Sequence, residues 1–121
     1  MAQSTETLPN GLQLLQDDRF CKLGQDSVLL SAFAKPRRNA KLLDLGCGTG
    51  ALALLVWRSD LKITGLELQD GPLDLFRQSI AANELENVTA LQGDLRQMRT
   101  LLPHGSMDYV ICNPPYFDRN A

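Results

Sequence analysis

Lys41-Leu42-Leu43-Asp44-Leu45 runs straight into Gly46-Cys47-Gly48-Thr49-Gly50, and Ala51-Leu52-Ala53-Leu54-Leu55-Val56-Trp57 follows with helix formers throughout. A short apolar run ending in glycines and resuming as a helical segment reads as strand, tight loop, helix. The three glycines stand at alternate positions, so the backbone can turn sharply and approach a ligand without side-chain clashes. The helix that follows would point its unsatisfied N–H groups and positive dipole end at that ligand. A polar or anionic group is expected there. The plain alternative is a turn that is merely tight.

Outward from this unit the same alternation continues. Residues 61–68 form a second apolar strand, and Asp70 with Pro72 opens a helix whose Leu73, Phe76 and Ile80 share one face. A third short strand covers 88–92, a weak helical stretch covers 95–102, and a fourth strand covers 107–112 before Pro114-Pro115. Strands and helices alternating every ten to fifteen residues or so imply crossover connections. The expected fold is therefore α/β, Rossmann-like, with a parallel sheet and helices on both faces. On the N-terminal side the start is polar, and Asp26 is expected to cap a short helix running through Ala34 and ending before Pro36. Residues 1–40 then form an extension with a helix, and 41–121 form the cofactor-binding unit.

Bulk properties narrow the class. A chain of 121 residues with 44% apolar and 21% charged content supports one modest core. No run of about 18 apolar residues is present and the first ten residues are polar, so neither a membrane span nor secretion is expected. Cys21, Cys47 and Cys112 are odd in number and lack metal-ligand spacing, which argues against a disulfide framework or a metal site and favours a reducing cytoplasm. The formal charge of -2 supplies no electrostatic signature of nucleic-acid binding. Lys35, Arg37 and Arg38 read as a solvated helix end.

Two further places carry chemistry. Glu67 closes the second strand 21 positions after Gly46, where a carboxylate can accept the hydroxyl protons of a cofactor ribose. Gly46-Cys47-Gly48-Thr49-Gly50-Ala51 also satisfies the dinucleotide pattern Gly-x-Gly-x-x-Gly/Ala, so the glycines alone leave a nicotinamide enzyme open. Asp44 inside the strand and Asn113-Pro114-Pro115-Tyr116 after the fourth strand favour S-adenosyl-L-methionine instead. In an open α/β sheet the loop after strand four lies beside the loop after strand one, at the carboxyl ends where ligands bind. There the Asn113 amide oxygen and the Pro114 carbonyl can accept the two protons of a planar amino group, and Tyr116 offers a face for stacking. Held acceptors favour the more tetrahedral nitrogen that attacks a methyl group, so they act mainly in the transition state. Pro-Pro as a simple strand terminator is the bland alternative.

Asp44-Leu-Gly-Cys-Gly-Thr-Gly50 together with Asn113-Pro-Pro-Tyr116 resembles the class I S-adenosylmethionine-dependent amino-methyltransferases. Across the chain, with Leu8-Pro-Asn-Gly-Leu12, Phe20, Gly24-Gln-Asp26, Gly65-Leu-Glu-Leu-Gln69 and Phe117, it is most similar to bacterial tRNA (adenine-N6)-methyltransferases acting on valine tRNA. That resemblance implies that Asp44, Gly46, Cys47, Gly48 and Gly50 surround the methionine part of the cofactor. It implies that Glu67, with Leu68, holds the ribose and that Asp94, with Leu95, meets the adenine amino group. Read without it, Asp94 is a helix cap. Gln25 and Asp26 match a segment that closes over the cofactor, and Asn113, Pro114, Pro115 and Tyr116 match the catalytic substrate-amine site. The implied partner is tRNA; no metal and no membrane are implied. Protein-glutamine N5-methyltransferases of release factors share Asn-Pro-Pro-Tyr and stand as the alternative, beside a truncated cofactor-binding module without turnover. A complete sheet of this family has seven strands, whereas this chain stops after the fourth. The expectation is a fragment of a longer enzyme, or a homodimer that covers strand four.

Overall fold

The computed structural model describes residues 3–20, 25–102 and 105–112, without the side chains of residues 25, 26, 95, 98 and 99. Strands β1 (Gln3–Thr7) and β2 (Gln13–Asp17) come first, then α1 (Gln25–Phe33), β3 (Lys41–Leu45), α2 (Ala51–Leu55), β4 (Lys62–Glu67), α3 (Asp70–Ala82) and β5 (Val88–Gln92). A single 3-10 turn (Leu95–Gln97) leads into α4 (Met98–Leu101), and β6 (Tyr109–Cys112) is the last described strand.

Four strands form a parallel sheet in the order β5-β4-β3-β6. Leu45 stands level with Leu66 of β4 and with Cys112 of β6, so three strands end together at one carboxyl edge. The crossovers through α2 and α3 both step in one direction, which by their right-handedness puts those helices on one face. The return to β6 reverses direction and carries the 3-10 turn and α4 over the other. The strand order thus reverses between β3 and β6, where such sheets open a crevice.

The parallel alternation expected from the sequence is present, with shifted ends. Helix α2 stops at Leu55 rather than at 57, and β6 begins at Tyr109 rather than at 107. The cap expected at Asp26 is corrected: α1 is described from Gln25, so Asp26 lies inside the helix rather than before it.

The main core lies under α2 and α3. Leu42 and Ile63 from the sheet meet Leu52, Leu54, Leu73 and Phe76 from the helices, all of them buried. Phe76 is 0% exposed, and burying such a ring is worth roughly 1.5–3 kcal/mol before cavity costs.

The polar start folds as a β-hairpin, which the sequence reading did not anticipate. β1 and β2 pair antiparallel from Gln3↔Asp17 to Thr7↔Gln13 around a turn at Gly11, whose φ is 89°. β2 docks on α3 through polar side chains: the Leu15 N–H donates to Ser79 Oγ at 2.9 Å, and the Gln13 N–H donates to Asn83 Oδ1 at 2.8 Å. Asn83 Nδ2 donates back to the Gln13 carbonyl at 2.7 Å, and Leu14 is 0% exposed in the main core. At the amino-terminal edge of the sheet, Trp57 Nε1 donates to Asn87 Oδ1 at 2.9 Å, and Asn87 Nδ2 donates to the Leu61 carbonyl at 2.7 Å.

Candidate cofactor site at the carboxyl edge

Chain leaving β3 at Leu45 enters a loop in which Gly46, Gly48 and Gly50 have φ of 64°, 57° and 89°. All three lie in the left-handed region that favours glycine. At Gly50 the need is doubled, because a Cβ there would run into the Phe76 ring. The loop is pinned from below: the Cys47 N–H donates to the Leu66 carbonyl at 3.0 Å, and the Gly50 N–H to the Cys47 carbonyl at 2.9 Å. Because α2 has only five residues, its dipole is small, and the loop's own amides carry more of the site's polarity than the sequence reading supposed.

Glu67 joins the loop directly. Its Oε1 accepts the Gly48 N–H at 2.8 Å and its Oε2 accepts the Gln69 N–H at 3.0 Å. Each carboxylate oxygen has two acceptor positions, so both keep one for an incoming hydroxyl. Leu68 beside it is 60% exposed. The Gly93 N–H donates to the Glu67 carbonyl at 3.1 Å, which ties the end of β5 to the same edge.

Asp44 lies beneath the loop and is 2% exposed. The Ala53 backbone N–H bonds its carboxyl group, while Oδ2 has no partner among the described residues. Burial pushes its pKa up to about 7, against the pull of the Ala53 bond, and the Glu67 charge pushes the same way. The Cys47 thiol is buried beside these carboxylates. Burial raises it most, with Asp44 and Glu67 adding, so it is a neutral thiol and a poor nucleophile. A Cβ on Gly65 would lie 2.8 Å from Cys47 Sγ and would also strike Phe76, so Gly65 lets the loop pack on β4.

Asp94 behaves as the helix cap that a reading of the bare residues suggests. Its Oδ1 accepts the Arg96 N–H at 2.9 Å, and Oδ2 pairs with the Arg96 guanidinium at 2.6 Å. The Arg96 side chain, foremost, holds it down to about 2. Leu95 lies in the 3-10 turn that this cap starts. Gln25 and Asp26 lie in α1. Asn113, Pro114, Pro115 and Tyr116 fall outside the described residues, next after Cys112 at the end of β6.

The structure therefore brings Asp44, Gly46, Cys47, Gly48, Gly50 and Glu67 together at the strand-order reversal. Gly65 and Phe76 shape the floor, although the sequence points to Phe76 only as part of a helix face and to Gly65 only within the Gly65–Gln69 stretch of the resemblance. A glycine inside an apolar strand was the available signal for Gly65, since it marks close backbone approach. Among the described residues no group of three or more His, Cys, Asp or Glu side chains could hold a metal ion.

A doubly wound parallel sheet with a glycine loop at its reversal point defines a nucleotide-binding α/β protein. The methyltransferase small domain model matches residues 20–121, and the chain belongs to that family. It is 37% identical over 108 residues to the tRNA1(Val) (adenine(37)-N6)-methyltransferase of Shewanella sp., covering 84% of this chain and 45% of the relative. A protein of the same name from Pseudoalteromonas translucida is 35% identical over 101 residues, covering 82% of this chain and 42% of the relative. The chain thus spans a little under half the length of these curated relatives. The crystal structure of M. jannaschii TYW2 in complex with AdoMet shares the fold at a TM-score of 0.74 and 18% identity, covering 89% of this chain and 49% of that one.

Proposed function

We propose that this chain is the cofactor-binding half of an S-adenosyl-L-methionine-dependent methyltransferase that acts on the exocyclic N6 amine of an adenine in tRNA. The observation that carries the reading is the pair of carboxylates, Asp44 and Glu67, gathered at the glycine loop of a methyltransferase-family chain. The names of the curated relatives supply the substrate.

The residues fit the cofactor's chemistry. Its methionine half carries an ammonium and a sulfonium, and Asp44 Oδ2 is a buried acceptor without a partner among the described residues. Its ribose offers two hydroxyls, and Glu67 has an acceptor position left on each oxygen. Gly46, Cys47, Gly48 and Gly50 would bring backbone close to the methionine half, Leu68 would flank the ribose, and Asp94 with Leu95 would meet the adenine. When bound, the cofactor supplies an electrophilic methyl group on sulfur. Asn113 and the Pro114 carbonyl would accept the amine's two protons, Pro115 would stiffen the segment, and Tyr116 would stack on the base. Gln25 and Asp26 would close over the cofactor. Orientation, rather than a covalent enzyme intermediate, then does the catalytic work.

Residues 1–40 and 41–121 are proposed as extension and cofactor-binding unit. Further sheet is proposed to add at β6, from a C-terminal half or from a second copy. Among the described residues Val110 there is 56% exposed. The free thiols of Cys47 and Cys112, and the lack among the described residues of any helix long and apolar enough to cross a membrane, support a cytoplasmic placement.

Transfer of labelled methyl from S-adenosylmethionine to undermodified valine tRNA, run beside a release factor as rival acceptor, tests the reading. Label in the tRNA is the expected result. Label in the release factor instead would assign a glutamine amide as the substrate, and cofactor binding without transfer to either would leave a binding module.

A further inference from the structure

We infer that ligand capture at this site is coupled to the release of one proton from Asp44 to solvent. The inference rests on the cofactor reading above and adds a linkage to it. Asp44 sits on β3 at 2% exposure, and one carboxylate oxygen has no partner among the described residues. The groups that face it are Ala53 N–H from α2, Glu67 from β4, Cys47 from the loop and Cys112 from β6. None of these is a cation, and no Lys or Arg among the described residues forms an ion pair with it. A carboxyl group in such surroundings keeps its proton, since ionising it would bury a charge without a counter-ion beside a second carboxylate. Its pKa, pushed up to about 7, agrees with that geometry.

A ligand whose amino-acid half brings an ammonium to this floor changes the balance. The cation favours the charged carboxylate, the O–H bond of Asp44 breaks heterolytically, and the proton leaves to buffer. A ligand with the same adenosine half but no ammonium has no such leverage. Release of the proton therefore separates the amino-acid half from the nucleoside half in a way that affinity alone does not.

Calorimetry in buffers of different ionisation heat measures the proton count directly. S-adenosylhomocysteine is expected to release most of a proton at pH 6 and markedly less at pH 8, with affinity rising several-fold between them. Methylthioadenosine, which lacks the amino-acid half, is expected to bind with no release at either pH. Asp44→Asn should weaken S-adenosylhomocysteine, abolish the release and leave methylthioadenosine unaffected. If both ligands bind the unaltered chain and neither releases a proton at pH 6, the coupling is wrong while the cofactor reading stands. Failure of both ligands to bind overturns the cofactor reading and the coupling with it.

Discussion

Gly50 has a φ of 89° and faces the Phe76 ring where a side chain would begin. Gly50→Ala would combine a strained backbone with an overpacked core, and roughly 2–4 kcal/mol of stability should go. Urea unfolding against the parent chain measures the loss. Asp44 affects stability in the opposite sense. Its carboxyl ionises near 3.8 when unfolded and near 7 when folded, so the folded form is favoured below that window. Stability should fall as pH rises from about 4 to 7, by no more than about 4 kcal/mol, and level off above. Asp44→Asn should remove that component, leaving the variant more stable than the parent at pH 8 and equal to it near pH 4. A parallel pH dependence in both proteins would show that Asp44 is already ionised in the folded chain.

Between α3 and the N-terminal hairpin, Leu14 packs into the core and two polar side chains, Ser79 at 0% exposure and Asn83, supply the hydrogen bonds. Asn83→Ala should cost roughly 1–3 kcal/mol, since it leaves the Gln13 N–H without its acceptor. Hydrogen exchange at the Gln13 and Leu15 amides should speed up more than at β3. Uniform acceleration would mean that the hairpin and the sheet open as one unit. This hairpin was also the least legible element. Gln3–Thr7 is exposed at every position, so β1 has no apolar face to read, and the pairing of β2 with it is not local information. By contrast β3 and α3 were plain, because a buried strand and an amphipathic helix write their period into the residues themselves. The same division holds in the site. The glycine loop and Glu67 could be picked out by spacing, whereas the Gly48–Glu67 bond and the Phe76 floor under Gly50 depend on which strands end side by side.

On the scale of the whole molecule, the strand order leaves β6 at one border of the parallel sheet among the described residues, with Val110 and Tyr109 partly open to solvent. An open strand with apolar side chains invites pairing with another chain. Val110→Lys should shift sedimentation toward a single small species at high concentration, with cofactor affinity preserved. An unchanged profile would count against pairing through β6. The Trp57–Asn87 bond at the amino-terminal edge has a separate use. Trp57 is the sole tryptophan, and it lies at the far end of the strands from the glycine loop. Its fluorescence is thus a built-in gauge of folding that nucleoside binding should barely disturb, so that emission and ligand occupancy can be followed in one cuvette as two independent signals.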